Sequence, residues 1–404
     1  MRHINAHALE PQQCATITDM QIPTMQIYLD YSATTPTRCE VIGLMQTLMA
    51  EEWGNPSSLH VWGNRSATLL EQARTRVGQL IHAPAESIIF TSGGTEANNL
   101  AIFGITQQFS TPQHLIISNV EHSAISEPAR HLEAQGWQVT RLPVDAWGLV
   151  NAADLVRSIQ PNTVLISIIW GQSEIGTIQP IAQLAEIARS HNILFHTDAV
   201  QVAGRLPIDV EALPIDLLSL SSHKLYGPQG CGALYIRSGV TVLPILLGGG
   251  QESGWRSGTQ AVPTIAGFGL AAKLIAAEMG TETPRLTELR DLLFEKLLGT
   301  SLKPSGSPTD RLPHHASFCL PDADGLQQNG KTLVRQMNLA GIGISAGAAC
   351  SSGKLEPSLI LRAIGHNDRI AKTGIRLTFG HETTIADVEW TAMVLRQILE
   401  RMGL

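Results

Sequence analysis

The fold is decided by one stretch, Ser221–Ser222–His223–Lys224–Leu225–Tyr226–Gly227–Pro228, which puts a lysine directly after a predicted strand. The apolar run at 217–220 predicts that strand. In open α/β sheets, ligands bind at the ends of strands. A lysine amine that loses its proton on burial there can attack an aldehyde. Taken alone, the octapeptide also fits a surface lysine in a loop.

Two further segments place polar groups at predicted strand ends. Asp198 follows the apolar run 193–195, and Gly94 with Thr95 joins the run 88–90 to a helix. Together with the lysine they supply an amine, a carboxylate and a cup of backbone amides for an anion. Pyridoxal 5'-phosphate needs this set, for its aldehyde, its ring nitrogen and its phosphate respectively. Separately, the glycines could form only a turn, and the aspartate could be only a helix cap.

Length and composition favour a large α/β enzyme. The chain has 404 residues, which is long for one core and favours two domains that share a cleft. Hydrophobic residues make up 43% and charged residues 16%, and a net charge of −7 gives no basic surface for nucleic acid. No stretch has the roughly 20 apolar residues that a membrane span needs.

The pattern along the chain predicts two architectures in succession. Near-continuous apolar strands alternate with helices from 88 to 237, which predicts a mostly parallel sheet covered by helices on both faces. After the glycines at 248–250, short strands and helices predict a smaller α+β domain. The predicted domain boundaries are a flexible N-terminal extension at 1–24, a large cofactor-binding domain at 40–280, and a small domain at 25–39 and 281–404.

Three further helices are predicted from the sequence. Thr68 and Glu71 form a capping-box pattern, which predicts a helix over 68–81. Two separate helices are predicted at 262–279 and 284–298.

The five cysteines are spread through the chain without a CxxC pair. An odd number in a long chain argues against a disulfide framework and favours a reducing compartment, so we predict the cytoplasm. Cys319, on an apolar strand, and Cys231, between two glycines, are interpreted as structural. Cys350 lies among small residues between 345 and 353, which would leave its sulfur uncovered.

These segments resemble the motifs of the cysteine desulfurases, in the class V aminotransferase-like family. The motifs recur in order from about residue 28 to the C-terminus. The resemblance implies the pyridoxal-phosphate-dependent aspartate-aminotransferase-like fold (fold type I) and the conversion of L-cysteine to L-alanine. The short spacing from Cys350 to Leu355–Glu356–Pro357 resembles the housekeeping and nitrogen-fixation branch.

The resemblance implies a cofactor-binding role for several side chains. Lys224 would hold the cofactor covalently, and Asp198 would face its ring nitrogen. His122 would stack on the ring and move protons, although a lone histidine at a strand end is often structural. Gln201 would donate to the phenolate oxygen. The phosphate would be bound by Gly94, Thr95, Ser221, His223 and the partner subunit's Thr259, which implies a homodimer with composite sites.

Substrate and sulfur would be handled by three further residues. Arg376 would clamp the substrate carboxylate, unless it forms an interdomain salt bridge. Cys350 would take the sulfur as a persulfide for an iron–sulfur scaffold or another sulfur-acceptor protein. Ser173 departs from the family, which has an asparagine that contacts the phenolate and the substrate carboxylate. A serine hydroxyl can donate one hydrogen bond but has a shorter reach.

Three other functions remain open at this point. A selenocysteine lyase would share nearly every residue, and a cystine or cysteine C–S lyase would not need Cys350. A non-catalytic partner in sulfur-carrier assembly could keep the fold, although Lys224, Asp198 and His122 are all retained. No metal site is expected.

Overall fold

The computed structural model of the protein describes residues 26–321, 329–347 and 356–404. Strands within these ranges are β1 (Ile27–Tyr28), β2 (Ile88–Thr91), β3 (His114–Ser118), β4 (Gln138–Leu142), β5 (Thr163–Ser167), β6 (Leu194–Asp198), β7 (Leu217–Ser221), β8 (Gly232–Ile236), β9 (Lys303–Pro304), β10 (His315–Cys319), β11 (Ile342–Gly343), β12 (Ser345–Ala346) and β13 (Ile375–Thr378). Helices are α1 (Cys39–Glu51), α2 (Val61–Leu80), α3 (Gly94–Thr106), α4 (Ser123–Ala134), α5 (Ala152–Ser158), α6 (Ile181–Ser190), α7 (Val262–Lys296), α8 (Gly330–Leu339), α9 (Leu359–Ala363), α10 (Asp368–Ala371) and α11 (Ile385–Arg401).

The large sheet has seven strands in the order β2-β8-β7-β6-β5-β3-β4. The pairs from β7 across to β4 are parallel, and β8 is antiparallel to both of its neighbours. The parallel register sets Asp198 opposite Ser219, two residues before the end of β7. The carboxyl ends of β6 and β7 therefore meet at one edge, as the sequence predicted for Asp198 and Lys224.

Helices cover the large sheet on both faces, and this explains its apolar strands. One buried cluster joins the sheet to α2, α6 and α7, and a second joins it to α3 and α4. Every residue of β7 and β8 is buried. Strands enclosed on both sides carry continuous apolar runs because neither face meets water.

A smaller α+β part forms from both ends of the described chain. Its four-stranded sheet has the order β12-β13-β10-β9, and β1 pairs with β11 beside it. Its core combines β1 with the second half of α7, α8 and α11. The boundary at residue 280 remains a prediction, since α7 runs through it without a break.

Two helix predictions were wrong. The predicted pair at 262–279 and 284–298 is the single helix α7, which contains Pro284. Its two halves are both anchored by buried residues, and this packing offsets the roughly 3 kcal/mol that an internal proline costs. Helix α2 begins at Val61 and not at Thr68, because the imidazole of His60 caps it by accepting from the Gly63 amide at 3.2 Å.

Within the described ranges, α7 is the helix that is long and apolar enough to cross a membrane by length and composition. Half of that apolar stretch is buried inside the protein. The helix packs against α1, α2 and α11, so its apolar residues serve as core.

A buried ion pair fixes the loop between β8 and α7. Arg74 of α2 contacts both carboxylate oxygens of Glu252, at 2.7 and 3.0 Å. The same carboxylate accepts from the Phe90 amide at 2.9 Å and from Gln260 at 3.1 Å. Glu252 and Ser253 both have positive φ, 48° and 55°, a conformation that costs non-glycine residues on the order of 1 kcal/mol or more. The ion pair thus stabilises a strained turn.

We predict that Glu252→Ala lowers the free energy of unfolding by about 3–5 kcal/mol, because it leaves the Arg74 guanidinium buried without its counter-charge. Glu71→Ala is the matched control: Glu71 also contacts Arg74, at 3.1 Å, but its side chain is 65% exposed. Its loss should cost about 0.5 kcal/mol or less. Urea unfolding of the two variants tests this, and equal losses would contradict it.

Candidate active site

A cavity of about 490 Å³ lies at the carboxyl ends of β6 and β7. It brings together ten of the predicted site residues: Gly94, Thr95, His122, Ser173, Asp198, Gln201, Ser221, His223, Lys224 and Arg376. Thr259 does not line it. Cys350 lies outside the described residues. The lining also includes side chains for which no role was predicted, namely Asp30, Ser32, Ala33, Asn98, Ile169, Val200 and Ser345.

Lys224 lies in the short helical turn that follows β7. Its Nζ donates to the carbonyls of Ser32 and Ala33 at 2.5 and 2.7 Å. Burial, helped by the positive charge of Arg376, lowers the pKa of the amine to about 8. About a tenth of the amine is therefore unprotonated at pH 7, far more than for an ordinary lysine, and this fraction can act as a nucleophile and a base.

Asp198 ends β6 and is 4% exposed. One of its oxygens accepts from the side-chain amide of Asn98 at 2.7 Å, and the other accepts from the Val200 amide at 3.0 Å. The second bond closes a turn, and no helix follows β6 in the described residues before β7, so Asp198 is not the helix cap considered as an alternative. The two bonds fix the orientation of the carboxylate, which lines the cavity.

The anion cup forms where β2 passes into α3. A side chain at Gly94 would bring its Cβ within 2.8 Å of the Val200 side chain, so glycine permits the close approach. Gly94 and Thr95, the first residues of α3, line the cavity, and a helix N-terminus carries a partial positive charge. His223 contacts the Thr34 hydroxyl at 3.1 Å, and burial beside Lys224 lowers the pKa of its imidazole to about 4. It is therefore a neutral donor or acceptor at pH 7.

His122 caps α4 with one ring nitrogen. Its Nδ1 accepts from the Ala124 amide at 3.1 Å, which leaves the proton of the neutral ring on Nε2. The preceding residue, Glu121, is buried and accepts from Ser118 at 2.6 Å and from the Ile169 amide at 2.9 Å. Burial raises the pKa of this carboxyl to about 8. These bonds tie the end of β3 to the chain after β5 and so fix the position of His122.

Arg376 of β13 reaches the cavity from the smaller part of the fold. It donates to the Asp30 carboxylate at 2.6 Å and to the Ser173 carbonyl at 2.8 Å. His315 contacts the same carbonyl at 3.1 Å. The ion pair with Asp30 lies within the smaller part of the fold, so it is not the interdomain salt bridge considered as an alternative; the contact with the large part is the bond to the Ser173 carbonyl.

Gln201 is placed beside Lys224. Its side-chain amide donates at 2.9 Å to the Ser32 carbonyl, the group that Lys224 also contacts. Ser32 was missed by sequence reasoning because its contribution is a backbone oxygen, which no residue type announces. Asn98 could have been found, since it lies one helical turn after Gly94 on α3.

The segment around Cys350 is anchored at both ends by described residues. The Gly347 amide donates to the Gly374 carbonyl at 2.8 Å, and the Ser358 hydroxyl donates to the buried carboxyl of Glu174. Burial raises the pKa of Glu174 to about 7. Among the described residues, no group of three histidine, cysteine or acidic side chains is arranged to hold a metal ion.

We predict that Lys224 reacts with acetic anhydride at a rate that rises through a midpoint near pH 8, whereas an exposed lysine follows an ordinary value near 10.4. Arg376→Met should move the midpoint upward, because it removes a neighbouring positive charge. Mass spectrometry of the labelled peptides across pH 6–11 gives both midpoints. A midpoint that stays the same in the variant would show that Arg376 does not act on Lys224.

Comparison with known proteins shows the family to which this chain belongs. A family model described as aminotransferase class-V matches residues 27–390. The cysteine desulfurase IscS of Dictyoglomus turgidum is 44% identical over 381 residues, covering 93% of this chain and 95% of that protein. The cysteine desulfurase IscS of Methanosarcina thermophila is 43% identical over 380 residues, covering 93% of this chain and 92% of that protein.

Solved structures of related proteins have a similar fold. A NifS-like protein has a TM-score of 0.87 and 32% identity, covering 93% of this chain and all of its own. A structure titled SspA in complex with cysteine has a TM-score of 0.78 and 34% identity, covering 88% of this chain and 99% of its own. The predicted fold type and the predicted family are confirmed. The chain belongs to the aminotransferase class-V family.

Proposed function

We propose that this chain is a pyridoxal-phosphate-dependent cysteine desulfurase, which converts L-cysteine to L-alanine and takes the sulfur as a persulfide on Cys350. The observation that carries the proposal is the meeting of Lys224, Asp198 and Arg376 in one cavity. An amine of lowered pKa, a buried carboxylate and a buried guanidinium suit an aldehyde cofactor and an amino-acid substrate. Relatives named cysteine desulfurase, at 44% and 43% identity, support the same reaction.

The residues present fit pyridoxal 5'-phosphate. The amides of Gly94 and Thr95, with Ser221 and His223, would bind the phosphate. Asp198 would hold a proton on the ring nitrogen, and Lys224 would bond the aldehyde. When bound, the cofactor withdraws electrons from the substrate Cα, which weakens the bonds to that carbon.

Protons in the cavity are handled by groups of suitable acidity. Lys224, whose pKa is about 8, can take a proton from the substrate Cα and return one near neutral pH. The Nε2–H of His122 is a second donor in the same cavity. Gln201 can donate its amide to a phenolate oxygen once it leaves the Ser32 carbonyl.

Substrate sulfur is taken by a thiolate. Arg376 would bind the carboxylate of L-cysteine, and the Cys350 thiolate would attack the substrate sulfur. The carbon–sulfur bond breaks, its electron pair stays with the substrate carbon, and that carbon takes up a proton to give alanine. Burial raises the pKa of the Cys319 thiol to about 12 and also raises the pKa of Cys231, so neither supplies a thiolate near pH 7.

The persulfide would pass to an iron–sulfur scaffold or another sulfur-acceptor thiol. The free cysteines in the described ranges, Cys39, Cys231 and Cys319, suit the reducing cytoplasm in which we place this transfer.

A homodimer would complete the site. Thr259 is exposed and lies outside the cavity of its own chain, on a segment that the Arg256–Glu96 ion pair holds at 2.8 Å. Leu246 and Leu247, which precede this segment, are 43% and 84% exposed. Exposed apolar side chains of this kind mark contact surfaces. We infer that the partner subunit's Thr259 binds the phosphate.

The function is tested by two variants. We predict that Lys224→Ala loses the borohydride-reducible link to the cofactor and slows turnover by about 10²-fold or more, because the proton-transfer group is gone. Cys350→Ser should keep the link and still change its absorbance with L-cysteine, but should form neither persulfide nor alanine above background.

The controls are Cys319→Ser and Cys231→Ser, which should retain turnover apart from packing losses. Pyruvate and sulfide formed by Cys350→Ser at near wild-type rate would replace the desulfurase with a C–S lyase, and alanine formed at that rate would show that Cys350 is not the sulfur acceptor. Rates on selenocysteine and cysteine, compared in the wild type, separate the selenocysteine lyase.

The composite site is tested by mixing variants. Lys224→Ala removes the link within one chain, and Thr259→Asp sets a negative charge against the phosphate that it would bind. In a heterodimer of the two, purified through different tags, we predict one borohydride-reducible link per dimer, on the Thr259→Asp chain. If Thr259 acted within its own chain, the heterodimer would carry no intact site and no link.

A further inference from the structure

The guanidinium of Arg376 is only partly satisfied. Its side chain is 5% exposed, one terminal nitrogen donates to the Ser173 carbonyl at 2.8 Å, and the other donates to Asp30 at 2.6 Å. The Nε is buried and has no hydrogen-bond partner among the described residues. Nε and Nη2 lie on the same edge of the planar fork, the edge that binds a carboxylate through two parallel bonds. Asp30 therefore already uses Nη2, one of the two nitrogens of that edge.

Asp30 is held in this position by its backbone. It bridges to Thr378, two residues beyond Arg376 on β13, and its carbonyl accepts from the Tyr28 hydroxyl at 3.0 Å. Its side chain is 20% exposed and lines the cavity. An arriving carboxylate would thus meet a resident carboxylate on the nitrogen it needs.

We propose that Asp30 is a positioning residue that pairs with Arg376 and competes with the α-carboxylate of the substrate at Nη2. The inference rests on the proposed function only in taking an α-amino acid as the ligand. Two consequences follow from the charges. Binding of a carboxylate is weakened by the exchange, and Arg376 is kept paired and correctly oriented while the cavity is free of ligand.

The test uses the holoenzyme and two ligands that differ only in the carboxylate, L-alanine and L-alaninamide. Asp30→Asn keeps the size of the side chain and removes its charge. We expect L-alanine to bind this variant about tenfold more tightly than the wild type, the change that one charge-assisted hydrogen bond produces. L-Alaninamide should bind within about twofold of the wild type, since it never displaces Asp30 from Arg376. The absorbance change on titration gives both dissociation constants.

Tyr28→Phe is the matched control, because it removes the bond to the Asp30 carbonyl and leaves the carboxylate in place. It should bind L-alanine as the wild type does. Asp30→Ser carries the same expectation as Asp30→Asn if the latter does not fold. For L-cysteine, the KM should fall with Asp30→Asn. Any effect of the lost charge on Lys224 would appear in kcat instead.

The opposite results overturn the proposal. Unchanged or weaker binding of L-alanine, with L-alaninamide unaffected, would mean that Asp30 does not compete for Arg376. Equal weakening of both ligands would mean that it only supports the cavity. L-Alanine binding needs neither Cys350 nor turnover, so the inference can fail in an active desulfurase and can hold in a protein that fails the desulfurase assay.

Discussion

The parallel pairing of β6 with β7 is the constraint on which the site depends. In a parallel sheet all strands end at the same edge, so an acid after one strand and a lysine after its neighbour are brought together without any special sequence between them. Asp198 and Lys224 lie 26 positions apart in the chain (224 − 198), yet the register brings together the strand ends that carry them. The sheet can supply this constraint only because helices bury both of its faces.

The buried charges come from different parts of the chain and balance one another. Asp198 ends β6 of the large sheet and Lys224 follows β7 of the same sheet, whereas Arg376 and Asp30 belong to the smaller α+β part. Arg376 lowers the pKa of Lys224, while Asp198 and Asp30 raise it, although burial has the largest effect. The acidity of the lysine is therefore a joint property of both parts, and packing between them tunes the amine.

Sequence reasoning predicted what residue types and strand ends determine. It predicted the alternation of strands and helices and the strand ends that carry Asp198 and Lys224, whereas Arg376 was predicted only from the family resemblance. It could not find Ser32, whose backbone carbonyl accepts a hydrogen bond from Lys224. It also missed the N-terminal cap of α2, where a histidine replaces the usual serine or aspartate. It wrongly divided α7 into two helices. The helix continues through Pro284 because tertiary packing of both halves outweighs the cost of the proline, and such packing is not visible in local sequence.

Asp30 is a residue of the site whose contact could not be predicted from local sequence. The sequence gives an aspartate after a short strand, a common residue before a turn, and nothing local says which guanidinium it meets. The pairing depends on the bridge from Asp30 to β13, nearly 350 residues later in the chain. Contacts of that range cannot be inferred from residue spacing.

Most polar groups that line the cavity bond to other groups of the protein, and this affects the free energy of binding that each can contribute. Lys224 and Gln201 both donate to the Ser32 carbonyl, Arg376 donates to Asp30, and His122 accepts from its own helix. A ligand that engages the first three competes with these bonds, so binding there is partly an exchange. An exchanged hydrogen bond contributes only about 0.5–1.5 kcal/mol. Unsatisfied groups, such as the Arg376 Nε and the carbonyl oxygen of the Asn98 side chain, gain a first partner instead. Affinity and selectivity should therefore arise disproportionately at these few atoms, which only a ligand of the right shape can reach together.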